Sequence, residues 1–576
     1  MISDGNDDDD TVTSGKLLPR QDESDNAAVL MDDLIRHVDN EGAFQNAFNN
    51  LFNFFAVIVG VMSVYSLVLA MKVPNHWCHV PGRDNTNLTL TEWKNYTLPR
   101  DKDNREMFAY SKCLMYNVTI PLVVPYNKRD LGVVNCQYGW EYDRRWFHKT
   151  VPSQENWVCD KSLYVTNTFV VTQIGEAVGT IFFGHMSDTV GRRPVFLITL
   201  ALLIVGRGLS VLTPSYYWLY LVTVFLGHSA LSSLCFAATT IGIELSQSEH
   251  RAYIVMLQSL GWTSGMCLIP LLAWLTADWT EFVLLPLLPA SCIFICSCSL
   301  FIESPRWLAS RGKISRCLAT LRHIADNNKL ELPDSAENTL RRVAEQSRGK
   351  VLGPSSFLSS TRLATNTALL VTCWMLNCVS YVILLLNVNN MSGNPFLNFF
   401  WQSAVELPAG FVAKWLSDRV GRRSTQTFTF LVIAASSFCV SRIVNNPNLH
   451  EVTTTTIIFV KFCVTITNFV CYLQAMEIFP TCLRQTGMSV ANVAGNAGGV
   501  LAPYVVYLGS HINQKYPYIV LCAMALLGTA VSSFLPETLN KKLPDNIKDA
   551  KYFGRNEKYW SFCKKSSEGE SYTNFR

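Results

Sequence analysis

The chain carries the same charged chemistry twice. Ser187-Asp188-Thr189-Val190-Gly191-Arg192-Arg193 returns 230 residues later as Ser417-Asp418-Arg419-Val420-Gly421-Arg422-Arg423. Glu244 and Arg251 answer to Glu477 and Arg484, and Glu303-Ser304 answers to Glu537-Thr538. A carboxylate and two guanidinium groups at a helix end can form a charge-assisted network. Such a carboxylate can also face the positive end of a neighbouring helix dipole. Arginines at helix ends often do no more than fix topology. Three charged signatures in one order at nearly one spacing favour a duplicated gate instead. Its first copy is Asp188, Arg192, Arg193, Glu244, Arg251, Glu303 and Arg306. Its second copy is Asp418, Arg422, Arg423, Glu477, Arg484 and Glu537.

A second chemical set lies inside long apolar stretches: Glu176, Arg207, His228, Glu406, Lys461 and, near one end, Arg442. Ionisable residues there are costly and are functional candidates by default. Glu176 stands 12 residues before Asp188 and Glu406 stands 12 before Asp418, so the two are repeat equivalents. At 1.5 Å per residue, Glu176 and Arg207 lie about 18 and 21 Å from the loop that joins their segments. Equal depth and opposite charge predict an intramembrane pair. His228 reads as a satisfied interhelical histidine.

These groups need apolar helices to position them, and the composition supplies them. Half of the 576 residues are hydrophobic (49%) and only 16% are charged, against about 25% in soluble domains. Twelve spans of the length a bilayer requires fall near 51–71, 163–183, 194–213, 216–240, 252–275, 281–302, 366–387, 396–416, 426–444, 453–475, 486–508 and 516–536. The expected fold class is an all-α membrane protein of two six-helix bundles. A duplicated membrane chain of this plan is a transporter plan. The domains follow: a cytoplasmic N-terminal tail (1–50), a first bundle (51–302) with a large outer loop (73–160), a cytoplasmic linker with helices (303–365), a second bundle (366–536) and a cytoplasmic tail (537–576). No cleavable signal peptide is read ahead of the first span, and the acidic stretch Asp7 to Asp10 reads as part of a disordered tail.

The paired arginines, the eleven Lys/Arg of 303–365 and the nine of 537–576 fall on one side, which the positive-inside rule makes cytoplasmic. The loop 73–160 then lies outside. It holds three glycosylation acceptors, Asn87, Asn95 and Asn117, and four cysteines, Cys78, Cys113, Cys136 and Cys159. Four cysteines in an outer loop imply two disulfides, with three possible pairings. A net charge of +4 gives no case for nucleic acid. No phosphate-binding Gly-x4-Gly-Lys-Ser/Thr, metal-ligand spacing or nucleophile constellation is present, so no cofactor, metal or enzymatic activity is expected.

At these residues the chain resembles the organic ion transporters of the major facilitator superfamily, the group of organic cation, organic anion and carnitine carriers. The resemblance covers about residues 40–555. Its markers are Gly42-x-Phe44-Gln45, the cysteine-bearing first loop, Gly184-x3-Asp188-x2-Gly191-Arg192-Arg193, Glu303-Ser-Pro-Arg306-Trp307-Leu308, Glu406-Leu-Pro408, Lys461-Phe462 and Glu477-Ile-Phe-Pro480-Thr481. This chain departs from the family in having four outer cysteines where six are common, Lys414 where the first copy has Gly184, and Ala43 where an Arg is usual.

The resemblance implies alternating-access transport of small organic ions across the plasma membrane, with both termini cytoplasmic. Organic cations or zwitterions such as carnitine are the expected class. An organic anion or sugar carrier of the same fold, or a non-transporting receptor or scaffold, is the alternative. The coupling ion is left open. The implied substrate-binding residues are Gln258, Trp374, Tyr381, Lys461, Phe469, Tyr472 and Asn496. Asn496 occupies a span 11 position that is acidic in cation-carrying relatives and basic in many anion-carrying ones. It carries neither charge, so the family's charge rule does not transfer here. The aromatic residues can bind an ammonium by cation–π attraction. Glu406 matches the family's Glu-x-Pro and reads as structural.

Overall fold

The structure is a computed structural model that describes residues 21–38, 42–100, 110–117, 132–246, 250–346, 354–480, 483–539, 541, 544 and 550. The acidic stretch at Asp7 to Asp10 and the tail beyond 550 lie outside the described residues. The chain divides into two compact units. One holds Met1–Ala47, Ile241–Arg251 and Ile302–Val351; the other holds Phe48–Thr240, Ala252–Phe301 and Leu352–Arg576.

Among the described residues, nine helices are long and apolar enough to cross a membrane: Ala43–Ala70, Arg192–Leu212, Tyr217–Leu245, Tyr253–Thr276, Trp279–Leu300, Thr361–Asn390, Arg422–Ile443, Pro447–Ile478 and Tyr516–Ser533. They correspond to spans 1, 3 to 7, 9, 10 and 12. Span 2 is a single 27-residue helix, Leu163–Thr189, diluted by polar residues. Spans 8 and 11 differ from the continuous helices expected. Span 8 is Pro395–Ala404 followed by Glu406–Val420, and span 11 is Arg484–Gly499 followed by Ala502–His511. A proline has no N–H to give the carbonyl four residues before it. Pro408 leaves Ala404 without that bond and Pro503 leaves Gly499 without it, and each helix breaks there. Phe182, Trp274, Ile295 and Phe411 are at least 60% exposed, as lipid-facing side chains must be.

Small residues bring the helices of the second unit together. A Cβ on Gly175 of span 2 would stand 3.0 Å from the Phe225 carbonyl of span 4, and one on Gly179 would meet the Ser229 backbone. Span 11 presses on span 7 in the same way, with Gly495 against Trp374 and Cys378. Both repeat tracts turn on glycine. Gly191 takes φ +126° and Gly421 takes φ +100°, a backbone region that favours residues without a Cβ.

Residues between spans 1 and 2 form a small loop domain. Strands β1 (His76–Cys78) and β4 (Trp140–Tyr142) pair antiparallel, as do β2 (Leu114–Tyr116) and β3 (Val133–Asn135). Disulfides join Cys78 to Cys136 and Cys113 to Cys159. Cys78, Val80, Trp93, Leu98 and Met115 make its core.

The first unit contains a helix that the sequence reading assigned to a tail. Gln21–Val38 is helical, and Met31, Leu34, Ile35 and Val38 are buried. Their spacing is one stripe of an amphipathic helix. Asn328 then explains the Gly42-x-Phe44-Gln45 motif. Its amide donates to the Val38 carbonyl and to Gln45 Oε1, each at 2.8 Å, and its oxygen accepts from Phe44 N at 3.0 Å. A side chain on Gly42 would fall on that amide.

Candidate functional site

Spans 7, 8 and 10 converge on one buried charge pair. Lys461 Nζ lies 3.0 Å from Glu406 Oε1, with the two side chains 2% and 8% exposed. The Tyr381 hydroxyl donates to the same carboxylate oxygen at 2.9 Å. The ammonium also lies 3.1 Å from the Tyr381 ring centroid. Met266, Leu385, Phe399, Gln402 and Ser403 close around Lys461 and leave no room for water. Glu406 gains this position from the break at Val405, which starts a new helix at the carboxylate. Lys461 is therefore neutralised inside the protein rather than presented alone to a ligand.

The face of span 10 that carries Lys461 continues through Thr465, Asn468 and Tyr472, residues that share one side of a helix. Lys461 is buried, Thr465 is partly buried, and Asn468 and Tyr472 are exposed. Tyr472 faces the Trp374 ring of span 7 at 6.1 Å. Phe469, 38% exposed, lies beside this stripe. Thr467 donates to Asn377 at 2.6 Å and ties spans 10 and 7 together. Gln258 and Asn496 are each partly buried on spans 5 and 11.

The expected pair of Glu176 and Arg207 is not formed. Arg207 donates to the Ser63 carbonyl at 2.8 Å and reaches Ser66 Oγ at 3.4 Å, both on span 1. Glu176 accepts a hydrogen bond from Ser232 on span 4 at 2.6 Å. The two residues stand at matching depth but project toward different neighbours. His228 is buried, and its Nδ1 donates to the Val224 carbonyl at 3.0 Å, one turn back on its own helix, so this bond is intrahelical rather than the interhelical one expected.

The charged stations are built networks. In the second copy Arg422 reaches Asp418 at 3.4 Å and Glu477 at 3.1 Å. The Glu537 carboxylate accepts from the backbone of Arg422 at 2.8 Å and of Arg423 at 3.2 Å. It thereby caps the N-terminus of span 9, where the helix dipole is positive. Thr538 donates to Glu477. In the first unit Ser304 donates to Glu244, and the Ser304 N–H donates to Glu303 at 3.1 Å. Arg306 pairs with Asp32, and Arg251 reaches the same carboxylate at 3.1 Å. Sequence reasoning missed Asp32 because it lies on Gln21–Val38. Arg193 of the second unit donates to the Cys298 carbonyl at 2.7 Å. Asp188 ends span 2, Arg192 begins span 3 and Arg484 begins span 11.

The opposite ends of the halves are joined. Lys72 donates to the Asn389 carbonyl, and Asn389 donates to the Val68 carbonyl at 2.7 Å. Tyr504 donates to Asn167 at 3.4 Å, and Ser162 and Tyr507 share a hydrogen bond at 3.5 Å. Burial lowers the Lys72 ammonium to about 8. On the loop domain between spans 1 and 2, Asn87 and Asn117 are exposed, whereas Asn95 is partly buried.

Comparison with known proteins gives concordant matches. Residues 126–546 match the family described as sugar (and other) transporter. The chain is 26% identical to rat solute carrier family 22 member 2 over 544 residues, covering 91% of this chain and 96% of that protein. It is 28% identical to the human organic cation/carnitine transporter 2 over 499 residues, covering 84% and 87%. It is 25% identical to the Drosophila melanogaster carcinine transporter over 530 residues, covering 89% and 77%. Its fold matches the inward-open xylose transporter XylE from E. coli with a TM-score of 0.58 at 15% identity, covering 86% of this chain and 98% of the other. The chain belongs to the sugar (and other) transporter family, has the major facilitator fold, and is a multi-pass membrane transporter similar to the organic cation and carnitine carriers.

Proposed function

We propose that the protein carries small organic cations or zwitterions across the plasma membrane by alternating access, with both termini and the 303–365 linker in the cytoplasm. The single observation that supports the charge class is the Lys461–Glu406 pair. A lysine already neutralised at 3.0 Å offers little to an organic anion, and the rest of that face of span 10 is uncharged: Thr465, Asn468 and Tyr472, which meets Trp374 of span 7, with Phe469 beside them. Ring faces attract ammonium groups and not carboxylates. Curated relatives named for organic cations, carcinine and carnitine support the same class.

The joined ends at Lys72–Asn389 and Tyr504–Asn167 fit a state closed toward the outer domain. The stations at Arg422 and at Arg306 are the proposed gate on the cytoplasmic side, which must break when the halves rock. Asn87, Asn95 and Asn117 are the proposed glycan sites.

The test is uptake into cells expressing the full chain. The panel holds a labelled organic cation, a labelled zwitterion and a labelled anion of similar size, each with and without sodium. The reading expects the cation or zwitterion to enter and the anion to stay at background. Anion or sugar uptake alone overturns the charge class, and no uptake at all by surface-expressed protein favours a non-transporting scaffold.

A further inference from the structure

We propose that Glu176 on span 2 is the carboxylate that receives the ammonium group of the transported solute, and that it favours amines that still carry an N–H. The inference rests on the reading of the protein as a carrier of organic cations or zwitterions.

Lys461 and Glu406 neutralise each other. Arg207 is 1% exposed and held by Ser63 and Ser66. Glu176 forms no ion pair among the described residues, and its side chain has one partner there, the Ser232 hydroxyl on Oε1. A carboxylate in a span without a cation is costly. That cost is offset when a cation arrives as cargo.

Its direction supports this. Span 2 presents Ile174, Val178, Ile181 and Phe182 as an exposed apolar stripe. Residue 176 lies on the opposite side of the helix, among buried Phe169, Thr172 and Phe183. Gly175 and Gly179 seat that side on span 4, which brings Ser232 within reach. One turn away, Gln173 abuts Gly499 of span 11. Glu176 is partly buried, unlike the sealed Lys461.

The surroundings suit an ammonium. Tyr65 of span 1, Cys235 of span 4 and Cys378 of span 7 lie within electrostatic reach of Glu176. Tyr65 meets the Trp262 ring of span 5 edge-on, centroids 5.4 Å apart. A carboxylate recognises a cation by charge, and an aromatic pair within its electrostatic reach can add ring-face attraction. Ser232 fixes Oε1, so Oε2 is the oxygen for a charge-assisted hydrogen bond. A quaternary ammonium cannot donate that bond.

The experiment compares uptake kinetics of labelled phenethylamine and its trimethylammonium analogue in cells expressing the full chain, corrected for surface protein. Glu176→Gln is expected to raise KM for phenethylamine at least tenfold and to raise KM for the quaternary analogue less. Glu176→Asp, which keeps the charge but withdraws it, is expected to raise the phenethylamine KM about threefold. Unchanged KM in both variants overturns the assignment. A lost pH dependence of transport with unchanged KM overturns it too, and makes Glu176 a proton carrier instead. Where Glu176→Gln fails to reach the surface, the Asp variant alone decides. If the wild type takes up anions and neither amine, the functional reading itself has failed. If the wild type takes up the amine and the variants match it, only the Glu176 assignment has failed.

Discussion

Removing either member of the Lys461–Glu406 pair should destabilise the protein, and removing both should restore most of the loss. At 3.0 Å and an effective dielectric near 20, the attraction is about 5.5 kcal/mol from 332/(εr). Desolvation of two buried ions offsets much of it, so the pair's net contribution is small, whereas breaking it by deleting one partner costs about 3–5 kcal/mol. Lys461→Met leaves Glu406 with only the Tyr381 hydroxyl. Glu406→Gln leaves an ammonium against the Tyr381 ring, a contact worth about 2 kcal/mol when desolvated. The Gln variant should therefore be the milder single. Melting midpoints of detergent-solubilised protein, followed by the surviving monodisperse peak, should rank wild type, then the double variant, then Glu406→Gln, then Lys461→Met. A coupling energy of at least about 2 kcal/mol is expected from the cycle. The double variant should keep cation uptake if the lysine's partner is Glu406 rather than the substrate. Additive losses refute the pairing. Abolished uptake in a stable double variant refutes the structural role assigned to Lys461.

Lys72 gives a pH dependence with a defined sign. Its ammonium is lowered from 10.5 to about 8 where it is buried against Asn389. An opened, solvated Lys72 would regain the higher value. Below pH 8 both states are charged and the balance does not move; between pH 8 and 10.5 the closed state sheds its proton first and gains. Raising the pH from 8 to 9 should favour outer closure by about fivefold, read as slower labelling of a cysteine placed behind that contact, and Lys72→Met should remove the effect. Arg422→Ala should lower transport severely at near-normal surface abundance, measured by biotinylation beside uptake, because it loses both Glu477 and Asp418; a wild-type rate would reduce the station to a topology signal. Cys78→Ser opens a disulfide spanning 58 residues, a loss of about 2–5 kcal/mol, and should trap the chain in an immature glycoform. Asn87→Gln with Asn117→Gln should remove most of the endoglycosidase mobility shift, since both asparagines are exposed while Asn95 and its acceptor Thr97 are less accessible.

The sequence made the spans legible because a bilayer demands about 20 apolar residues at a stretch, and it made their order legible because the charged tracts repeat. It was weaker wherever rotation about a helix axis decides. The depth of Glu176 and Arg207 follows from the rise per residue. Their partners follow from azimuth, which depends on Gly175 and Gly179 seating span 2 on span 4 and on Arg207 turning toward span 1. Lys461 and Glu406 sit on different spans, and no local spacing links them. The breaks in spans 8 and 11 were readable in principle from Pro408 and Pro503, each four residues beyond the carbonyl it orphans. Gln21–Val38 was hidden by the acidic residues around its apolar stripe.

The duplication survives to the level of single hydrogen bonds. The Ser304 hydroxyl donates to Glu244 as the Thr538 hydroxyl donates to Glu477. The Ser304 N–H donates to Glu303 at 3.1 Å as the Thr538 N–H donates to Glu537 at 3.0 Å. The arginines around these matched bonds bring in further carboxylates. The second station takes Arg422 from its own repeat. In the first unit Arg251 and Arg306 converge on Asp32, which lies on Gln21–Val38, outside the repeat. Two guanidinium groups on one carboxylate make that helix part of the charge balance rather than a passive leader. The first station therefore depends on a segment that precedes the repeat, and Asp32→Asn is expected to loosen Arg251 and Arg306 together, read as lowered uptake at normal surface abundance.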